Sequence, residues 1–189
     1  MAQRSGSQVV ADDPLTDLEL AEAMTGELED YIIKDDLYRT LFASTSAGEQ
    51  RFVMTGSDLL ARLHRLNGTS DSYSSEMRQR IETVTEQAEA IIYSLRTRFH
   101  LRLLREMKAR LDSLRWYLDD CTADPVRCRT NFPYEVRNRQ RIEEILKRVG
   151  DEVPDDLHAA LNSVDHRIRQ VTHGTTFIWD DQLKPAYPS

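Results

Sequence analysis

Residues 72–120, SYSSEMRQRIETVTEQAEAIIYSLRTRFHLRLLREMKARLDSLRWYLDD, contain neither glycine nor proline. Apolar side chains recur through this stretch at helical spacing. Met77, Ile81, Val84, Ala88, Ile91 and Leu95 alternate steps of four and three, which lays one stripe along a helix. Phe99, Leu103, Met107 and Leu111 then follow in steps of four before Leu114 and Leu118 return to the first rhythm. A run of four-residue steps drifts around an ideal helix. The helix is therefore expected to change partner, bend or break near residues 96–100. Unbroken, about 45 residues would reach roughly 65–70 Å, against roughly 40 Å for a compact globule of this chain length.

Helical periods also mark the flanking sequence. Thr16-x-x-Glu19 has the form of a capping box with Pro14 just outside it. The stripe behind it, Ala21, Met24, Leu28, Tyr31, Tyr38 and Phe42, predicts one helix reaching residue 42, with Asp35 in the gap on its seam. Ser44 to Gln50 reads as a loop and Arg51 to Met54 as extended or helical. Thr55-Gly56-Ser57-Asp58 opens a further helix with Leu59, Leu60, Leu63 and Leu66 on one face, stopped by Asn67-Gly68. Asp119 to Asn131 reads as a connector. Asn131 and Pro133 then start a helix carrying Val136, Ile142, Ile145, Leu146 and Val149, and Gly150 ends it. Pro154-Asp155-Asp156 starts the last helix, with Leu157, Leu161, Val164, Ile168 and Val171 in its stripe and His173-Gly174 as its stop.

No convincing alternation marks a sheet. The expected fold is all-α: an antiparallel bundle of four to five helices around a very long or kinked central helix, about 72–120. Residues 1–13 are expected to be a disordered tail and residues 14–174 one bundle domain. Residues 175–189, with Phe177, Ile178, Trp179, Tyr187 and two prolines, are expected to be an extended segment packed on the bundle or on a neighbour.

The net charge of −7 conceals an asymmetry. Residues 1–50 carry 3 basic and 11 acidic side chains, whereas residues 96–148 carry 14 basic and 8 acidic. The opposed stretches suit pairing within the chain, between subunits or with a partner. Arginine outnumbers lysine 21 to 4. Its planar fork suits carboxylate or phosphate, although a GC-rich genome gives the same bias without any function. On the long helix Arg98, Arg102 and Arg105 fall within one arc at steps of four and three, a stripe that could follow a phosphate backbone.

The search for chemistry returns little. No phosphate-binding glycine loop, nucleophile elbow or paired Glu-x-x-His is present. Asp155-x-x-His158 stands alone where a helix start needs a cap, and His166 and His173 lie two turns apart. No metal and no cofactor are expected. Cys121 and Cys128 do not have zinc-knuckle spacing; free thiols are the default in a reducing compartment, and a local disulfide is the alternative. Asp35 is the one polar residue on a strong stripe, expected to be buried against an arginine of the basic middle or exposed at a bend. Trp116, Tyr117, Phe132, Tyr134 and Trp179 are expected to gather as an aromatic cluster.

With no apolar run near 20 residues and no apolar leader core at residues 1–13, neither a membrane span nor a secretory signal is expected, and the expected compartment is the cytoplasm. The leading functional expectation is a non-enzymatic interaction protein, an adaptor, assembly factor or regulatory subunit, binding a protein partner or itself as a homodimer through surplus apolar surface along residues 77–118. The alternatives are nucleic-acid or phosphate binding through the arginine stripe, and a sensor or enzyme with an inter-helix pocket using Asp35.

Overall fold

A computed structural model describes residues 13–171; the expected tail at 1–13, except Asp13, the expected tail at 175–189 and the His173-Gly174 stop lie outside this span. The chain is mostly helical with one small sheet. In order it forms α1 (Pro14–Gly26), α2 (Leu28–Lys34), β1 (Arg39–Thr45), β2 (Gly48–Met54), α3 (Gly56–Gly68), α4 (Ser75–Ser94), α5 (Arg96–Ala123), α6 (Pro125–Val149) and α7 (Asp155–Val171), with short 3-10 turns at Ser70–Ser72 and Gly150–Glu152. The chain divides into two compact units whose boundary falls inside α5, between Arg102 and Leu103.

In the first unit α1 packs against α3, α4 and β1. Leu18, Ala21, Met24, Leu28 and Tyr31 are fully buried and meet a core that includes Met54, Leu59, Leu66, Ile81, Val84 and Ala88. The start of α1 differs from the capping-box expectation. Asp13 is the N-cap, accepting from the Thr16 amide at 3.4 Å, and Pro14 occupies the first helical position, where a missing N–H costs nothing. Glu19 is thereby free for another task. Its carboxylate accepts from the Ser46 amide at 2.7 Å and the Ser46 hydroxyl at 3.0 Å, pinning the tip of the hairpin to α1.

That hairpin is the principal departure from the all-α expectation. The helix predicted to reach Phe42 ends at Lys34, because Asp35 adopts the left-handed conformation (φ 60°, ψ 25°) and closes α2. β1 and β2 then pair antiparallel, Leu41 opposite Phe52 and Phe42 opposite Arg51. Leu41, Phe52 and Met54 point inward, while Phe42 and Val53 point outward. The turn reaches Gly48 at φ 107°, backbone that a side chain adopts only with strain.

The stretch 72–120 is two helices, with Leu95 outside both (φ −115°, ψ 24°). Along it Ile81, Val84, Ala88, Ile92, Phe99, Leu103, Met107, Leu111, Leu114 and Leu118 are buried, whereas Met77, Ile91 and Leu95 are half-buried.

In the second unit the expected connector at 119–131 is helix. α5 runs to Ala123, Asp124 caps α6 by accepting from the Arg127 amide at 3.0 Å, and Pro125 takes the first position. The helix continues through Pro133, a residue that costs about 3 kcal/mol inside a helix. Ile142, Ile145, Val149, Leu157, Leu161 and Val164 supply the buried faces of α6 and α7.

Gly48→Ala is expected to destabilise the first unit by about 1 kcal/mol. A Cβ at this position meets nothing within 4 Å, so the penalty is conformational alone. Urea unfolding of the two proteins measures it.

Candidate functional site

Three groups of polar side chains organise the described residues, and only one of them was legible as a candidate. It centres on Arg102. This side chain is 1% exposed, so it does not stand beside Arg98 and Arg105, which are exposed, in an outward stripe. It turns inward over the end of α2. Its guanidinium lies 4.5 Å from the centre of the Tyr31 ring and donates to the carbonyl of Ile32 at 3.0 Å, the carbonyl of Asp36 and the carboxylate of Asp35 at 3.2 Å. The burial expected of Asp35 is reversed. Its side chain is 67% exposed, and its arginine partner is the buried member. Tyr31 completes the junction, donating its hydroxyl to the Leu37 carbonyl at 3.2 Å and accepting from the Gly56 amide at 3.1 Å.

The second group lies where α1 meets α3. Asp17, 4% exposed, receives a bidentate approach from Arg65 (Nε at 3.1 Å, Nη2 at 2.9 and 3.0 Å) and a further bond from Arg62. In the sequence Asp17 looks like an ordinary acidic residue of a first helical turn. Arg62 and Arg65, one turn apart beside the Leu59–Leu66 stripe, were the available signal. Nearby Glu22 and Arg80 pair at 2.8 Å in the half-exposed zone, and Glu22 raises the Arg80 pKa through its hydrogen bonds.

The third group belongs to the second unit. Glu106, completely buried, holds Arg110 at 2.7 Å, and Arg110 reaches across to Asn138 of α6 at 2.8 Å. Arg139 of α6 grips Asp165 of α7 at 2.6 Å and Glu143 at 3.1 Å. Burial works against the Arg139 charge, but the two carboxylates outweigh it and raise the pKa. Arg167 pairs with Asp119 at 2.7 Å.

Cys121 and Cys128 are bonded to each other, their Cα atoms 4.8 Å apart across the α5–α6 turn. Tyr117 donates its hydroxyl to the Cys128 carbonyl at 2.7 Å and also lies 3.3 Å from the Cys128 sulfur. Burial, with the nearby Glu135 charge adding to it, pushes the Tyr117 pKa up to about 12. Burial likewise raises Glu135 above the ordinary carboxylate value.

Of the residues expected to gather as an aromatic cluster, four lie in the described span. Trp116 is 74% exposed, Tyr117 faces the disulfide, and Tyr134 stands half exposed with the Arg137 guanidinium 5.2 Å from its ring centre. Phe132 is half-buried, and Trp179 lies outside the described span. Among the described residues no three His, Cys, Asp or Glu side chains come together to hold a metal ion, and no helix is long and apolar enough to cross a membrane. Asp155 and His158 are both exposed, and His166 meets Gln170 at 3.0 Å.

Comparison with protein families, with curated proteins and with solved structures finds no match.

Two predictions follow from the charges. Asp17→Asn is expected to cost about 3 kcal/mol, because two guanidiniums then face a neutral amide in a buried site. Glu22→Gln, in a pair more than a third exposed, is expected to cost under about 1 kcal/mol; chemical denaturation separates the two. Glu135 has a folded pKa above its unfolded value, so its protonated form favours the fold. That contribution is complete below the unfolded value near 4.5 and is lost as pH rises through the folded value. Glu135→Gln should therefore raise the melting temperature at pH 7 and leave it unchanged near pH 4.

Proposed function

We propose that the protein acts by binding another polypeptide, as an adaptor, assembly or regulatory subunit, and that the outward face of the β1–β2 hairpin is the contact surface. One observation carries this reading: among the described residues the sheet has two strands, and its outer face presents Phe42, 73% exposed, with Val53 half exposed. The two lie diagonally across the ladder, Phe42 opposite Arg51 and Thr40 opposite Val53. Tyr38, also about half exposed, precedes β1. In a two-stranded sheet each strand keeps one edge without a sheet neighbour, so a partner strand can add its backbone bonds there while Phe42 and Val53 supply the apolar anchor.

A second copy of the chain is one form such a partner can take, and the cytoplasm is the compartment that fits the reading. The helices of each unit are taken as a small antiparallel bundle that carries this surface. Support for that arrangement comes from the α1–α3 pairs and from the pairs that join α5 to α6 and α6 to α7. The nucleic-acid reading is weakened by Arg102, whose burial removes the centre of its stripe.

Phe42→Glu with Val53→Glu, both at exposed positions, should leave the melting temperature within a few degrees of the parent. Capture of the partner polypeptide by the tagged full chain should fall at least about tenfold, the scale expected when an interface anchor is lost. Trp116→Ser serves as an exposed-aromatic control. Equal capture by all three proteins defeats the reading, and sedimentation of the same samples tells whether the partner is a second copy.

A further inference from the structure

The Cys121–Cys128 bond has asymmetric surroundings. Cys121 sits in the last turn of α5, whose unsatisfied carbonyls disfavour negative charge, and Cys128 sits in the first turns of α6, whose amides favour it. The same asymmetry is built into the side chains, because the Tyr117 hydroxyl lies 3.3 Å from the Cys128 sulfur. The bond also lies at a solvent-facing turn. Thr122, Ala123, Asp124, Val126 and Arg127 are all exposed, although the two cysteines themselves are only 6% and 9% exposed.

We propose that Cys121–Cys128 is a thiol–disulfide exchange site for a small dithiol or glutathione-like thiol, in which Cys121 is the sulfur attacked and Cys128 the sulfur that leaves. The incoming thiolate bonds to the Cys121 sulfur as the Cys121–Cys128 bond breaks. The bonding pair departs on Cys128 as a thiolate, and the Tyr117 hydroxyl, 3.3 Å from that sulfur, turns its one proton to it from the Cys128 carbonyl. A second thiol of the reductant then attacks the reductant sulfur in the mixed disulfide, and Cys121 leaves and takes up a proton. Protonation of Cys128 completes the exchange: the protein gains two electrons and two protons, and the dithiol becomes a disulfide.

Tyr117 suits this role because burial and Glu135 hold its proton in place to high pH. The charged neighbours on the two helices are Glu135, which disfavours a thiolate through its charge, Asp120 and Asp124, which do the same, and Arg127, which favours it. Asp124 is partly spent, since it accepts from the Arg127 amide at 3.0 Å. The Tyr117 hydroxyl decides the balance, because it reaches the Cys128 sulfur itself.

The test uses the oxidised full chain with reduced glutathione at pH 7, quenched with acid and mapped by peptide mass, and in parallel with dithiothreitol. Reduction should proceed while the far-ultraviolet circular dichroism stays native, and glutathione should be trapped on Cys121. Tyr117→Phe should slow reduction by at least about threefold, through a poorer leaving sulfur. The proposal is overturned by reduction that occurs only at the rate of global unfolding, by glutathione on Cys128, or by an unchanged rate in Tyr117→Phe. Should that variant fail to fold, iodoacetamide rates decide instead. The lone Cys128 of Cys121→Ser should react faster at pH 7 than the lone Cys121 of Cys128→Ser, and equal or reversed rates overturn the assignment.

Discussion

A guanidinium buried to 1% must be given acceptors, and the architecture of the first unit follows from where Arg102 finds them. They are the carbonyls of Ile32 and Asp36, the carboxylate of Asp35 and the face of Tyr31. A helix that ran on to Phe42 would have spent the Ile32 carbonyl on the amide four residues later. Because α2 stops at Lys34, its last carbonyls are open, and Arg102 uses one of them. The left-handed Asp35, the buried arginine and the turn toward β1 are thus parts of one solution. Tyr31 ties that solution to the next element, since its hydroxyl reaches both Leu37 and the first residue of α3. Among the described residues the Nε of Arg102 meets no acceptor.

How much of this was legible depends on whether the signal was local. The stripes from Ile81 to Leu118 predicted burial at most positions, with Ile92 in place of Ile91 and Leu95 only half-buried, because a helix's buried face follows largely from its period. The break at Leu95 lies beside the change of rhythm that foretold it. The hairpin was missed because Tyr38 and Phe42 continue the α1 stripe by chance of spacing, and that pattern outweighed a genuine alternation. Leu41 and Phe52 with Met54 are the inward residues of short strands, and Gly48 marks their turn, but three residues over the two strands are a weak signal against a helical stripe. Asp35 was correctly read as the interruption and correctly paired with a basic-middle arginine. Which of the two is buried depends on a tertiary contact across many residues, and no local pattern encodes it.

The charge asymmetry of the sequence resolves within each unit into specific pairs. Acidic α1 meets arginines of α3 and α4 through Asp17 and Glu22, while in the second unit Glu106, Asp165 and Asp119 take up part of the excess arginine. Fork-shaped side chains make this arrangement workable, because Arg65 and Arg139 each engage a carboxylate through two nitrogens, which a lysine cannot do. The arginine bias therefore has structural employment in this chain, whatever its genomic origin. A cation already shared among internal carboxylates is a poor phosphate ligand, since binding would first have to break those bonds. For that reason the basic middle carries less weight as a nucleic-acid surface than its composition suggested.

The hairpin reverses that relation between internal need and surface. Its inner face is buried through Leu41, Phe52 and Met54, β1 packs on α1, and the Glu19 carboxylate of α1 holds its turn at Ser46. A two-stranded sheet alone is marginal in water, so these contacts hold it in place. Its outer face contributes only the cross-strand contacts of Phe42, Arg51, Thr40 and Val53, worth a few tenths to about 1 kcal/mol per pair. Threonine or a charged pair would serve the ladder nearly as well there, whereas a partner strand gains directly from an exposed phenyl ring beside an open edge. The fold thus constrains the inner residues tightly and the outer ones loosely, and the proposed contact at Phe42 and Val53 rests on that looseness.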